Sequence, residues 1–270
     1  MTMDQLDTVY TPGWVLISDD RIAGLGKGFP PQKVTAQGVK MIDATNKVIL
    51  PGLINGHTHL SQSFMRGLAD GVGLHDWLEH IRPVQLAMTP RDIELACLLG
   101  LVENLRCGVT SVVQHHKATS SAAHTDACLR AARTVGLRVL FARGWRDLGD
   151  SKEASETLIG EMDRLLECWH GSANGRITIG FGPMVPWHCS EKMMLQTLKM
   201  ARRLNLPTHI HIAETQGEIT MSRQSCGLRH VEWLKALGAL GPNMQLVHCV
   251  WVNDTELKYI AHKTHFKITL

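Results

Sequence analysis

The sequence predicts an α/β fold in which parallel strands alternate with helices around a barrel. From Val48 onward an apolar strand, a polar loop and an amphipathic helix follow one another repeatedly, with no low-complexity linker between them. Alternation of this kind is typical of a parallel sheet, whose neighbouring strands are joined by crossover helices. With 270 residues and 44% hydrophobic content, the chain can bury the core of one domain of barrel size.

A small β unit is predicted ahead of the barrel. We therefore divide the chain into a partial β-sandwich unit over residues 1–50 and a barrel over residues 51–270. Residues 14–17 and 21–25 predict two strands on either side of the polar turn 18–20. Residues 34–42 roughly alternate apolar and polar side chains, which predicts a further strand.

Seven strands and six helices are predicted in the barrel. The strands cover residues 48–54, 109–114, 138–143, 176–181, 208–212, 245–250 and 265–270. The helices cover residues 91–105, 121–135, 153–169, 191–204, 230–237 and 254–262. Thr89 and Ser190 are typical helix starts, and Gly136 and Gly238 are typical helix stops. Because a closed barrel needs eight strands, we expect an incomplete barrel with an exposed sheet edge.

Composition argues against nucleic-acid and membrane partners. Lys and Arg number 28 against 25 Asp and Glu, and the charges are scattered rather than gathered into a basic stripe. The N-terminus has no basic start followed by an apolar run, and no stretch reaches the roughly 20 apolar residues that span a bilayer. We expect a cytoplasmic protein whose seven cysteines, which include no C-x-x-C pair, are reduced thiols. The 15 histidines are unusual, because neutral imidazole is a ligand that divalent metals favour.

The strongest local signal is the pair His57 and His59, which follows the apolar segment PGLING. Side chains alternate between the two faces of a strand, so the imidazoles of a His-x-His motif lie on the same face and converge. In a parallel barrel the active site lies at the C-terminal ends of the strands, where this motif falls. The motif therefore predicts a metal site, and a solvent-exposed pair of turn histidines is the alternative.

A second signal follows the fifth predicted strand, in the segment HIHIAE. His211 lies nearer the barrel mouth than His209, which we expect to pack or hydrogen-bond below the metal. Glu214, on the next loop, could accept a proton from an activated water and return it to a leaving group. His248, at the end of the sixth predicted strand, would face the same centre, although a lone histidine at a strand end is more often a core residue.

Three segments, PGLINGHTHLSQSFMRG, HIHIAET and LVHC, resemble in order and spacing the amidohydrolase superfamily, in particular its cytosine-deaminase and atrazine-chlorohydrolase branch. The resemblance extends from the N-terminal β unit to the seventh predicted strand. It implies a TIM-like (β/α)8 metal-dependent hydrolase barrel, of which this chain would hold about seven strands, together with part of a small N-terminal β-sandwich.

The resemblance also implies a role for five residues. His57, His59 and His211 would bind the metal, Glu214 would shuttle protons, and His248 would orient water or substrate. The family uses a further Asp after the eighth barrel strand, which lies beyond this sequence, so a catalytically silent metal-binding fragment is an alternative.

One divalent ion is expected. Relatives with two ions bridge them through a modified lysine on the fourth strand, and residues 177–182 contain no lysine. Histidines together with a carboxylate suit Zn²⁺ and also Fe²⁺, and of the two we expect zinc.

Several side chains near the predicted mouth could hold a planar ring. Gln62 resembles the amide with which heterocycle deaminases of this branch read a ring edge, since an amide supplies both a donor and an acceptor. The other candidates, which could supply stacking or cationic contacts, are Arg66, Trp77, His115, His116, Arg143 and Trp187. Met184 stands where relatives that deaminate adenosyl or thioadenosyl compounds have a histidine, so the resemblance favours a free base or a triazine-like ring.

The expected function is metal-dependent hydrolytic deamination of an aminated aromatic heterocycle. Release of chloride or of an alkylamine from a similar ring is the alternative within the same fold. The expected partner is a small heterocyclic substrate, and a homodimer is an arrangement that the resemblance allows.

Overall fold

In the computed structural model, the described residues are 1–35, 38–116, 121–149, 152–261 and 267–269. The chain divides into two compact units, Met1–Gly52 and Leu53–Leu270. None of the helices in those ranges is both long and apolar enough to cross a bilayer.

The N-terminal unit contains one antiparallel hairpin, as the sequence predicts. It is formed by β1 (Gly13–Ser18) and β2 (Arg21–Lys27), with a register shift between Leu16 and Ile17. The predicted strand over 34–42 is wrong where the structure describes it: a 3₁₀ helix covers Gln32–Val34, and residues 38–42 are in no strand. Gly38 adopts φ +98°, which does not occur in a regular strand. Residues 36 and 37 lie outside the described residues.

The second unit is built on a parallel sheet of seven strands whose order follows the chain, which confirms the predicted barrel class. The strands are β3 (Leu53–Thr58), β4 (Val109–His116), β5 (Arg138–Trp145), β6 (Ile177–Pro183), β7 (Thr208–Ile212), β8 (Met244–His248) and β9 (Lys267–Thr269). Every neighbouring pair is parallel. Within the described ranges, β3 and β9 are the two edges of the sheet. Edge strand β3 leaves Ile54 73% exposed. Residues 265, 266 and 270 of the predicted last strand lie outside the described residues.

The first barrel strand begins later than predicted, at Leu53 instead of Val48. Pro51 has no N–H to donate to a ladder, and a backbone hydrogen bond runs from Leu53 N to the oxygen of Gly108, the residue before β4. The strand then continues through His57 and Thr58, so the two histidines are placed by its last residues and by the turn that follows.

Helices connect the strands and cover the outer face of the sheet. They are α1 (Leu74–Ala87), α2 (Pro90–Arg106), α3 (Ala122–Val135), α4 (Ser155–Cys168), the single turn α5 (Ser172–Gly175), α6 (Glu191–Leu204), α7 (Gln216–Cys226), α8 (His230–Ala236) and α9 (Asp254–Ala261). Two 3₁₀ segments, Leu60–Met65 and Pro186–His188, follow β3 and β6. The sequence does not predict α1, the single turn α5 or α7.

Apolar side chains from strands and helices form one continuous core in this unit. Phe141, Ile179, Ile210 and Leu246 are completely buried on four successive strands, β5 to β8. Burial of this kind on every central strand holds the strand ends in place, and it is at those ends that the polar residues collect.

Candidate active site

Histidines from distant parts of the chain meet at the C-terminal ends of β3 and β7. The ring centroid of His57 lies 4.7 Å from that of His59 and 4.8 Å from that of His211. The rings of His59 and His211 stack with centroids 5.2 Å apart. The structure therefore brings together the three imidazoles that the sequence singles out as metal ligands.

Backbone carbonyls fix the tautomers of His59 and His211. Nδ1 of His59 is 2.9 Å from the carbonyl oxygen of His115, and Nδ1 of His211 is 3.2 Å from that of Met184. A carbonyl oxygen only accepts, so both Nδ1 atoms carry the proton and both Nε2 atoms carry a lone pair. These two Nε2 atoms face each other at 3.2 Å.

Two lone pairs at this separation repel each other unless a cation lies between them. Two nitrogens 3.2 Å apart could both bind one zinc ion at the usual Zn–N distance of about 2.0–2.1 Å. The donor set and its spacing therefore fit a divalent ion.

A chain of hydrogen bonds orients His57 in the same way. The amide of Gln245 donates to the carbonyl oxygen of Gly56 at 2.8 Å, and its oxygen accepts from Nδ1 of His209 at 2.9 Å. Nε2 of His209 is thus an acceptor, and it receives the Nδ1 proton of His57 at 2.8 Å. His57 is left with a free Nε2 lone pair. His209 makes the hydrogen bond that we expect of a residue beneath the ligands.

Two groups of histidines in the described chain have ligand nitrogens within 4.8 Å of one another. One group is His57, His211 and His248, and the other is His59, His115 and His211. Together the two groups contain the three predicted ligands, His248, which we expect to orient water or substrate, and His115, which the sequence offers as a ring contact.

Burial keeps these imidazoles uncharged at neutral pH. It is the main cause that lowers the pKa of His57 to about 2 and that of His59 to about 4. Burial also holds the pKa of His211 well below its usual value, and the neighbouring imidazoles add to the effect. A neutral imidazole is the form that binds a metal, so the cluster needs no deprotonation at pH 7.

Glu214 and His248 lie beside the cluster and contact each other, with Oε2 of the glutamate 3.3 Å from Nε2 of the histidine. Burial, with the carboxylate of Glu218 as the second cause, raises the pKa of Glu214 to about 7. The ring centroid of His248 is 5.3 Å from that of His57, and burial lowers the pKa of His248. A carboxyl group that titrates near neutral pH is suited to accepting and returning a proton.

The loop that carries Glu214 is held by a buried histidine. Nδ1 of His230 accepts a hydrogen bond from the backbone N–H of Ala213, and its Nε2 donates to the carbonyl oxygen of Glu218 at 3.2 Å. Ala213 adopts φ +49°, an unfavourable conformation for an L-residue, so this fixed contact helps to set the direction of the loop.

Three of the predicted substrate contacts lie together. Gln62, Arg66 and Trp77 line, with His59, a cavity of about 460 Å³ beside the histidine cluster. Arg66 is exposed, and its guanidinium lies 2.9 Å from the carboxylate of Glu103.

The other predicted contacts lie elsewhere. The ring of His116 packs on Phe141, with 5.3 Å between centroids, and is not brought to the cluster. The adjacent His115 is brought to the cluster, with its ring centroid 5.5 Å from that of His59. Trp187 packs on His230 with ring centroids 5.3 Å apart, and His230 in turn contacts Ala213 on the loop that carries Glu214. Arg143 is fully buried in an ion pair with Glu153, 2.9 Å long, and does not face the mouth.

Sequence reasoning missed Gln245 and His230. Neither belongs to a motif, and both contact the site residues through hydrogen bonds that only the folded chain creates. Gln245 lies three residues before His248, and a polar side chain inside an otherwise apolar strand is the signal that could have identified it.

Residues 48–266 match the model of the Amidohydrolase family, and the chain belongs to this family. It is 36% identical over 252 residues to a 5'-deoxyadenosine deaminase of Methanothermobacter thermautotrophicus, covering 93% of this chain and 56% of that protein. It is 34% identical over 247 residues to a 5-methylthioadenosine/S-adenosylhomocysteine deaminase of Carboxydothermus hydrogenoformans, covering 91% and 55%. The chain thus spans little more than half the length of these curated relatives.

Solved structures show the same fold. A zinc-bound adenosine deaminase from Xanthomonas campestris superposes with a TM-score of 0.78 at 22% identity, over 94% of this chain and 56% of the other. The zinc complex of atrazine chlorohydrolase from Arthrobacter aurescens TC1 gives 0.79 at 23% identity, over 94% and 59%. At these identities the likeness concerns the fold alone.

Proposed function

We propose that this chain holds one divalent ion through His57, His59 and His211 and serves the hydrolytic deamination of an aminated aromatic heterocycle. The observation that carries the proposal is the fixed tautomer of all three imidazoles. Each donates its Nδ1 proton to another group and keeps a lone pair on Nε2, which is how metal-binding histidines are held. Zinc is the proposed ion and Fe²⁺ the alternative, because both suit histidine nitrogens.

A divalent ion in this position would supply a Lewis acid that lowers the pKa of water to about 7. The chain's own residues would handle the protons. Glu214, with its pKa of about 7, would accept a proton from water as the water oxygen adds to the amino-bearing ring carbon, and would deliver that proton to the amino group, so that the C–N bond breaks and ammonia leaves. His248, held 3.3 Å from that carboxylate, would orient the water or the ring.

The cavity beside His59 is the proposed position of the ring. Gln62 would read a ring edge with its amide, and Trp77 would supply an aromatic contact. Trp187, which packs on His230, remains a predicted contact, whereas His116, whose ring packs on Phe141, is not part of the proposed ring site.

The names of the two relatives above, a 5'-deoxyadenosine deaminase and a 5-methylthioadenosine/S-adenosylhomocysteine deaminase, favour a 6-aminopurine ring. The position of Met184 favours a free base over a nucleoside, so both forms belong in the substrate test. Release of chloride or an alkylamine is less favoured, because the chlorohydrolase likeness concerns the fold alone. A cytoplasmic location and a homodimer remain predictions.

The experiment combines metal analysis with a substrate panel. The purified chain is loaded with zinc, freed of excess metal and assayed for bound zinc, and then for ammonia and chloride release from adenine, adenosine, 5'-deoxyadenosine, cytosine and a chlorotriazine. We expect one zinc per chain and ammonia from an aminated ring. Substitution His211→Asn should abolish metal binding, whereas the control His80→Ala, at an exposed histidine of α1, should not.

The outcomes separate the alternatives. Chloride without ammonia would replace deamination by the chlorohydrolase reaction. One zinc per chain with no turnover on any ring would support the catalytically silent metal-binding fragment. A chain that binds no zinc would contradict the metal centre itself.

A further inference from the structure

We propose that His115 supplies a fourth imidazole nitrogen, Nδ1, directly to the ion. The inference rests on the proposed metal centre at His57, His59 and His211 and adds a ligand from a strand to which the family resemblance assigns none.

His115 lies inside the cluster and not beside it. It belongs to the C-terminal end of β4, next to the strand that carries His59, and is 1% exposed. Its ring centroid is 4.6 Å from that of His211 and 5.5 Å from that of His59. One nitrogen from each of these three rings lies within 4.8 Å of the other two, which is a spacing that a single ion can draw together.

The contact with Gly182 determines which nitrogen is free. Nε2 of His115 is 3.0 Å from the carbonyl oxygen of Gly182, so Nε2 carries the proton and donates it. Nδ1 therefore carries a lone pair. The absence of a side chain at residue 182 makes room for this ring, because a Cβ there would come within 2.9 Å of Nε2.

Nδ1 of His115 is buried and has no hydrogen-bond partner among the described residues. A buried acceptor without a donor is unfavourable, and groups of this kind need an explanation such as a bound ion or water. The two explanations differ in what they predict. As a ligand, Nδ1 would bond to the metal, whereas as an acceptor for water it would stay outside the coordination sphere.

The neighbouring His116 is the natural control. It is equally buried, at 1% exposed, and one of its ring nitrogens, Nε2, also lacks a partner among the described residues. Because successive side chains of a strand point to opposite faces, its ring packs on Phe141, away from the cluster. An effect that comes only from losing a buried imidazole should therefore appear in both variants. An effect that comes from losing a metal ligand should appear only in the His115 variant.

The test compares His115→Gln with His116→Gln in the 270-residue chain. Zinc affinity is measured by competition with a chelator, and folding is checked by thermal unfolding. We expect His115→Gln to weaken zinc binding by more than about 100-fold, beyond the 10- to 100-fold that loss of an outer contact causes, and His116→Gln to leave it within about threefold.

A measurement on the unsubstituted chain covers the case in which a variant does not fold. In protein with ¹⁵N-labelled histidine, zinc should shift the Nδ1 resonance of one ring, whose proton remains on Nε2. It should shift the Nε2 resonances of the three other ligand rings. If zinc leaves the Nδ1 resonance of His115 unchanged, the proposal is overturned, whatever the zinc affinity of the variant. His115 would then be an acceptor for water. If the unsubstituted chain binds no zinc at all, the metal centre fails as a whole, and that result is distinguishable from the loss of one ligand.

Discussion

At the scale of single residues, the hydrogen-bond partners of the imidazoles matter as much as their positions. His57 reaches its tautomer through two further side chains, His209 and Gln245, and through the carbonyl oxygen of Gly56. A change at the far end of this chain of bonds would release the ring of His57 without touching a ligand.

Substitution Gln245→Leu should therefore lower zinc affinity by about 10- to 100-fold, the range typical for partners that orient a metal ligand. The physical reason is that His209 loses its acceptor and no longer presents Nε2 to His57. Chelator competition measures the effect, with the exposed Gln224→Leu on α7 as the control. Equal affinity in both variants would contradict the assigned direction of these bonds.

For Glu214 we predict an effect on turnover and not on zinc content, because this residue is proposed to move protons and not to bind the ion. Glu214→Gln keeps the size of the side chain and removes its proton-accepting carboxylate. Turnover should fall by about 10²- to 10⁴-fold while the zinc content stays at the unsubstituted level. Steady-state kinetics and metal analysis are measured together, with the exposed Glu79→Gln on α1 as the control. Loss of zinc in the Glu214 variant would make this residue a ligand instead.

At the scale of elements, close packing between β5 and β6 fixes where His115 lies. A Cβ at Gly182 would meet backbone atoms of Ala142 and Arg143 at 3.0 Å, in addition to the His115 ring. Backbone in the middle of a sheet cannot move aside easily, so an added Cβ at this strand position would strain the packing of β5 against β6.

Substitution Gly182→Ala should lower the free energy of unfolding by about 1–3 kcal/mol, as overpacking does elsewhere. The control is Gly160→Ala in α4, where an added Cβ meets nothing within 4 Å. In a helix interior that change should raise the free energy of unfolding by about 0.5–1 kcal/mol. Urea unfolding measures both, and a Gly182→Ala protein as stable as the unsubstituted chain would show that β5 and β6 can separate.

The same elements show how far the sequence predicts this structure. The His-x-His motif could be interpreted because alternate residues of a strand share a face whatever the strand's register. The choice between His115 and His116 could not, since it depends on that register, and a shift of one residue exchanges the two faces. Helix α1 contains Pro83, and α7 has Gly217 in its first turn, so neither presents the uninterrupted apolar spacing from which helices are predicted. The predicted strand over 34–42 alternates correctly but includes Gly38, whose positive φ depends on the turn around it.

At the scale of the whole molecule, the buried imidazoles link stability to pH. Burial is the main cause that lowers the pKa values of His59, His209 and His230 to about 4, against about 6.5 in an unfolded chain. Between those two values the unfolded chain binds more protons than the folded chain. Stability from these groups is therefore complete above pH 6.5 and is lost as the pH falls toward 4, by up to about 1.4 kcal/mol per pH unit for each group.

Glu214 acts with the opposite sign. Its pKa is raised to about 7 in the folded chain, so between pH 4.5 and 7 the folded state binds the extra proton, and the stability that this proton contributes grows as the pH falls. Burial also raises the pKa of Glu218, but it lowers the pKa values of His57 and His211 as well. The buried imidazoles outweigh the two carboxyl groups, so the free energy of unfolding of the metal-free chain should fall between pH 6.5 and 5, and Glu214→Gln should make that fall steeper. Urea unfolding at pH 7.5, 6.5, 5.8 and 5.0 in the presence of a chelator measures both slopes. A metal-free chain whose stability is constant or rises over this range would mean that the imidazoles are charged in the folded state, and a charged cluster could not bind the ion on which the proposed function depends.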